Sequence, residues 1–151
     1  MTRALTVLTA ALALSATTAT AQDHALVLTG VGRFAVFADA ASPTPDGEGV
    51  RMRSLQVSEE DMVIGGVAYA GGWSWWRFDC VAQTADRLDF ASLKADGTEG
   101  PITPEKASPY AIAPGGDAAE LAAVACSHEP RTADALSTAD AVRIGRERMK
   151  E

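Results

Sequence analysis

The chain has 151 residues, 47% of them hydrophobic and 22% charged, with a formal net charge of −7 and two cysteines. That length fits one domain and leaves no room for two full cores. The acidic balance argues against nucleic acid as the default partner and equally against anionic lipid, because both want a basic surface.

Residues 1–21 read MTRALTVLTAALALSATTATA. Arg3 precedes an uncharged apolar run from Ala4 to Ala16, and small residues follow, ending Ala19-Thr20-Ala21. A charged start, a short apolar centre and a small-residue end predict a cleaved secretory signal, with Gln22 as the first mature residue. The run is shorter than the roughly 20 apolar residues a membrane span needs, and no other stretch is long and apolar enough to span a bilayer. Loss of Arg3 leaves residues 22–151 at −8. From Gln22 to Cys126 there are seven basic and fifteen acidic residues, whereas Ser127 to Glu151 holds five of each. That shift predicts a domain over 22–126 and a tail over 127–151.

Short β-like runs separated by turn residues fill the body. Arg33 to Ala38 is apolar and aromatic, and the loop from Ser42 to Gly49 carries the turn signal Asp46-Gly47. Val50-Arg51-Met52-Arg53 alternates as a half-buried strand does, and the phase breaks at Ser54-Leu55, predicting a bulge or strand end. Ser58-Glu59-Glu60-Asp61 resembles a helix capping box, cut short by Gly65-Gly66. Trp73 to Val81 and Ala85 to Ala95 read as an antiparallel hairpin ending at Asp96-Gly97, and Tyr110 to Ile112 is a further short apolar piece. After Pro114-Gly115-Gly116, the Ala- and Leu-rich run Asp117 to Cys126 favours helix, with Ala118, Leu121, Ala122 and Ala125 on one face. Its acids Asp117 and Glu120 suit the positive end of the helix dipole. In the tail, a second helix fits between Ala133 and Lys150, its Arg143, Arg146, Arg148 and Lys150 falling late. Unanchored termini are usually mobile, so the tail reads as a solvated extension before it reads as an arm docking on an acidic surface.

Cys80 and Cys126 are the only cysteines. In an oxidising compartment they predict one internal disulfide, the alternatives being two free thiols or a bridge to a second chain. The bridge would tie a strand to the end of a helix. The two histidines, His24 and His128, lie far apart, and no metal-ligand or phosphate-loop spacing occurs, so neither a metal nor a cofactor is implied. Ser127-His128-Glu129 sets three triad residue types side by side, where neighbours cannot converge as a nucleophile, base and orienter must. Glu59-Glu60-Asp61 lacks the spaced oxygen ligands of a calcium loop. Nothing selects a catalytic pair, and the chain reads as not an enzyme.

Trp73, Trp75, Trp76 and Phe78 lie within six residues of a chain that has three Trp, four Phe and two Tyr. In a regular strand, Trp76, Phe78 and Cys80 share one face, which the disulfide assigns to the helix. Trp73, Trp75, Arg77 and Asp79 share the other. A sheet with one helical layer leaves that second face uncovered unless a loop, the tail helix or a second subunit lies over it. Exposed aromatics beside Arg mark interaction surfaces, which makes Trp73, Trp75 and Arg77 the candidate binding surface. Burial of both Trp by a curled sheet, or a bulge that breaks the alternation, is the competing reading.

Taken in order, Phe37-Ala38-Asp39-Ala40-Ala41-Ser42, a Gly-rich turn, an alternating strand and an aromatic strand closing on Phe78-Asp79-Cys80 make a recognisable set. Arg87, Gly97 to Gly100, and Pro114-Gly115-Gly116 before a helix ending in Cys126 complete it. The set, from Phe34 to Cys126, resembles the bacterial surface-adhesin protein E family. The resemblance implies a small exported domain, an antiparallel sheet with a C-terminal helix bound to it by a disulfide, and a non-enzymatic binding role. The expectation is therefore an α+β fold, a mostly antiparallel sheet with that helix tethered by Cys80–Cys126. Its location would be the periplasm, the cell surface or the medium. The function expected is a binding or structural envelope module meeting a protein or a second copy of itself. A periplasmic enzyme, or an inhibitor of one, is the alternative.

Overall fold

The computed structural model describes residues 23–151, so the expected signal segment and its cleavage point lie outside the described residues. The strands are β1 (Leu26–Val31), β2 (Phe34–Asp39), β3 (Thr44–Asp46), β4 (Gly49–Ile64), β5 (Val67–Asp79), β6 (Thr84–Arg87), β7 (Asp89–Lys94), β8 (Thr103–Pro104) and β9 (Tyr110–Ala111). Two helices follow, α1 (Asp117–Ala125) and α2 (Thr138–Arg148). The main path of the sheet is β1-β2-β4-β5-β6-β9, every paired neighbour antiparallel. This is the expected α+β fold, with the Cys80–Cys126 disulfide tying the end of β5 to the end of α1.

Strands β4 and β5 form its spine, a long hairpin whose two-residue turn is Gly65-Gly66. Both glycines have positive φ, 58° and 80°, which the tightest hairpin turns demand and only glycine adopts without strain. The helix start anticipated at Ser58–Asp61 is therefore strand. Pairing is irregular between Val57 and Met62, and there the Ser58 hydroxyl lies within hydrogen-bond distance of the carbonyl oxygens of Glu60 (2.7 Å) and Ala70 (3.0 Å). The hairpin tip exposes Met62, Val63 and Ile64, and the acids Glu59, Glu60 and Asp61 beside them blunt the strand edge against sheet-to-sheet aggregation.

The break anticipated at Ser54-Leu55 does not occur either: Ser54 pairs with Ser74 and Leu55 with Trp73 in unbroken register. Both faces of β4 are covered there, so polarity stops reporting orientation. Met52 packs in one core and Leu55 in the other, while Ser54 accepts a hydrogen bond from the Trp76 indole (2.9 Å). The strand anticipated over Ala85–Ala95 is two, β6 and β7, parted at Leu88. At the parting the Leu88 amide donates to the Trp75 carbonyl (2.8 Å) and the Asp89 carboxylate accepts from the Trp75 amide (2.8 Å).

Each face carries its own core. On one, Val36, Ala38, Met52, Trp76, Phe78 and Ala85 meet Ala118, Leu121, Ala122, Val124 and Ala125 of α1. On the other, Ala35, Phe37, Leu55, Val57, Trp73 and Leu93 meet Ala135 and Ala141 of the C-terminal segment. The tail anticipated as a solvated extension is thus a third layer. Ala135 bridges to Leu26, the Asp134 carboxylate accepts from the Leu28 amide (2.7 Å), and Arg146 reaches the Ser58 carbonyl (3.1 Å) and Asp61 (2.5 Å). Ser137 caps α2 through the Asp140 amide (3.1 Å), and the same hydroxyl holds the Asp140 carboxyl below the usual carboxylate range. Gly145 lets α2 approach closely, since a Cβ there would stand 2.9 Å from the Ala35 side chain and 3.1 Å from the Phe37 ring.

Candidate functional site

Strand alternation puts Arg51 and Arg53 of β4 on the same face as Trp73, Trp75 and Arg77 of β5. The register sets Arg53 opposite Trp75 and Arg51 opposite Arg77. Long side chains reach diagonally across such a pair of strands. The Arg53 guanidinium lies 4.3 Å from the Trp73 ring centre and 6.0 Å from that of Trp75, and Arg51 lies 4.7 Å from that of Trp75. The result is a ladder of alternating cations and indoles. Each such contact contributes about 0.5–1 kcal/mol where exposed and about 2 kcal/mol where desolvated.

The two ends of the ladder differ. At the Trp73 end, His24 stacks on the indole with centres 5.1 Å apart, and its Nδ1 lies 2.7 Å from an Asp39 carboxylate oxygen. Asp39 also accepts from the amides of Ala25 and Ala41 (3.2 Å each), which stitches the N-terminal segment over Trp73. Arg53 is buried and pairs with Glu99 at 2.5 Å. Trp73 is consequently only 1% exposed, and it leaves the expected binding surface for the core. The physical reason is the third layer: the C-terminal segment and the N-terminal strap close over a face that a two-layer fold would have left open. At the other end, Trp75 and Arg77 remain half-buried, with accessible edges. Arg77 donates to the Asp46 carbonyl (3.3 Å) and lies 4.0 Å from its carboxylate.

Arg51 is the member that sequence reading missed. It is half-buried, and its Nε is sealed from solvent beside the Trp75 ring without a hydrogen-bond partner. Among the described residues no carboxylate lies within ion-pair distance of it, whereas Arg53 and Arg77 both have one. The signal was present in the sequence. Val-Arg-Met-Arg gives two arginines of equal parity, which must share a face with whatever the partner strand presents there.

The other motifs do not converge. The Ser127 hydroxyl accepts from the Glu129 amide (3.1 Å), so Ser127-His128-Glu129 is a local turn. Glu59, Glu60 and Asp61 are exposed along the strand edge, with Asp61 taken by Arg146. Among the described residues no helix is long and apolar enough to cross a membrane. Compared with known proteins, the chain matches no family, no curated protein and no solved structure.

Proposed function

We propose that the chain is an exported binding module that docks an acidic protein segment on the strip formed by Arg51, Trp75 and Arg77. The observation that carries this reading is the state of Arg51, a guanidinium held against an indole by a rigid hairpin and left without a carboxylate. Holding a cation in place without neutralising it costs stability, and a partner's carboxylate would recover that cost. The strip also carries charge: Arg51 and Arg77 are two of the seven basic residues in a body of net −8, and Arg77 lies only at the outer limit of pairing with Asp46. A positive island in an acidic surface steers an acidic partner to one place. Arg and Trp are the side chains that dominate binding energy at protein interfaces. The resemblance to the surface-adhesin protein E family supports the same role, and a disulfide in so small a chain supports an oxidising compartment. An enzyme would need an acid, a base or a nucleophile converging on a cavity, and the strip offers cations and aromatic edges instead.

The test is fluorescence anisotropy of the oxidised chain from Gln22 with a labelled Asp/Glu-rich peptide, in low and moderate salt. Wild type is expected to bind saturably and more weakly as salt rises. Arg51→Glu and Trp75→Ser should each weaken binding about tenfold or more, while Arg51→Glu lowers the melting temperature by no more than about 5 °C, the loss of one cation–π contact. Equal affinity in wild type and Arg51→Glu would remove the strip from the docking surface. If sedimentation shows wild type to self-associate and Arg51→Glu to be monomeric, the acidic segment belongs to a second copy.

A further inference from the structure

A second site lies on the opposite face of the sheet, beyond the N-terminal end of α1, and it owes nothing to the docking strip. Four adjacent strands each send one side chain there: Gln56 from β4, Trp76 from β5, Arg87 from β6 and Tyr110 from β9. The register explains the convergence. Trp76 stands opposite Arg87, Tyr110 opposite Ala85 two residues away, and Gln56 has the parity of Met52, which stands opposite Trp76. Gly116 and Asp117 close the far wall of a cavity of about 340 Å³. That falls within the range of small-molecule sites, about 300–1,000 Å³.

The chemistry of the lining narrows the occupant. Trp76 spends its N–H on Ser54, stacks on Phe78 and is only 6% exposed, so it adds a strip of carbon to the groove floor, and the open aromatic ring is that of Tyr110. The Tyr110 phenol is neutral at neutral pH by its ordinary chemistry, partial desolvation raises it further, and it can both donate and accept. Arg87 is held by Glu105 through Nε and Nη2, which fixes its plane and cancels its charge. Among the described residues the Gln56 amide has no partner in the chain, and the Asp117 carboxylate is exposed and unpaired. Aromatic surface, an amide, a phenol and a carboxylate around a neutralised arginine suit a ligand with one flat apolar side and several hydroxyls. An excess negative charge repels phosphate and carboxylate, and so many hydrogen-bonding groups penalise a purely apolar guest.

We infer that this groove binds a neutral pyranose carbohydrate, its ring face against Tyr110 and its hydroxyls on Gln56, Arg87 and Asp117. The experiment is saturation-transfer NMR of the oxidised chain with the methyl glycosides of glucose, galactose, mannose and N-acetylglucosamine, with glucuronate as the anionic comparison. At least one neutral glycoside should bind with a Kd on the order of millimolar. Tyr110→Ala and Gln56→Ala should each weaken it about tenfold, while Tyr110→Phe keeps most of the affinity and Trp75→Ser changes nothing. Tyr110 is exposed, so its loss should leave the fold intact, which the melting profile of the same sample checks. Failure of every neutral glycoside, binding of glucuronate alone, or affinity unmoved by both Tyr110→Ala and Gln56→Ala would overturn the assignment. None of these results bears on the Arg51 strip, so the two sites stand or fall separately.

Discussion

Trp73→Ala is expected to destabilise the protein by about 4 kcal/mol, the cost of removing a fully enclosed indole from a core that cannot collapse around the gap. Trp75→Ala, two residues away on the same face, should cost about 1 kcal/mol, because its ring is already partly solvated and loses chiefly its contacts with Arg51 and Arg53. The contrast separates a core tryptophan from a surface one within a single strand. Trp73→Phe should cost less than the alanine, since it keeps most of the packing and removes an indole N–H that is buried without a partner. Urea unfolding of the three variants measures all of this, provided the slopes agree. If Trp73→Ala cost no more than Trp75→Ala, the N-terminal strap and the C-terminal layer would not be closing that face.

Loss of the disulfide should be nearly as costly and more localised. Cys80 and Cys126 are 46 residues apart, and opening a loop of that size costs about 4 kcal/mol in the chain-entropy picture. In Cys80→Ser/Cys126→Ser the melting temperature should fall by on the order of 10–20 °C. The damage should begin at α1. This helix has nine residues, a Gly116 N-cap that offers no side-chain hydrogen bond, and an apolar face built of three alanines, one leucine and one valine. A helix so short is marginal alone, and alanine buries little surface to hold it down. Amide exchange in α1 should therefore accelerate on reduction by much more than exchange in β4 and β5. Equal acceleration throughout would mean that the bridge steadies the whole fold and not the helix in particular.

The parts of the fold written in strong local signals were legible from sequence. Asp46-Gly47 turns the chain where expected, β5 alternates as read, and Trp76 and Phe78 do face α1. Misreadings fell where chemistry and geometry part company. At Ser54-Leu55 the strand is covered on both sides, so a serine can point inward as readily as a leucine. At Ser58–Asp61 the polar residues look like a helix start, yet the Gly65-Gly66 turn and the pairing of Met62 to Ile64 with Val67 to Tyr69 prevail. The tail concealed its role because its contacts are small. Ala135, Ala141 and Gly145 anchor it by close approach, with Val142, Ile144 and Met149 only partly buried beside them, and composition does not register that. The same blind spot put Trp73 on the surface, since the elements covering it lie at the two ends of the described chain. The disulfide was legible for the opposite reason, a covalent constraint with a single internal solution. The groove at Gln56, Trp76, Arg87 and Tyr110 was not, because four strands from distant parts of the sequence build it.

The docking strip can be tested most directly by a ¹⁵N–¹H titration of the oxidised protein with an Asp/Glu-rich peptide at low salt. Shifts should concentrate at the amides of Val50 to Arg53 and Trp75 to Phe78 and at the Trp75 indole N–H, and should fade together as salt is added. The amides of α1 and the Trp73 indole should stay still. Shifts centred on α1 or on the Met62–Ile64 hairpin tip, or none at saturating peptide, would contradict the assignment of Arg51, Trp75 and Arg77 as the docking surface.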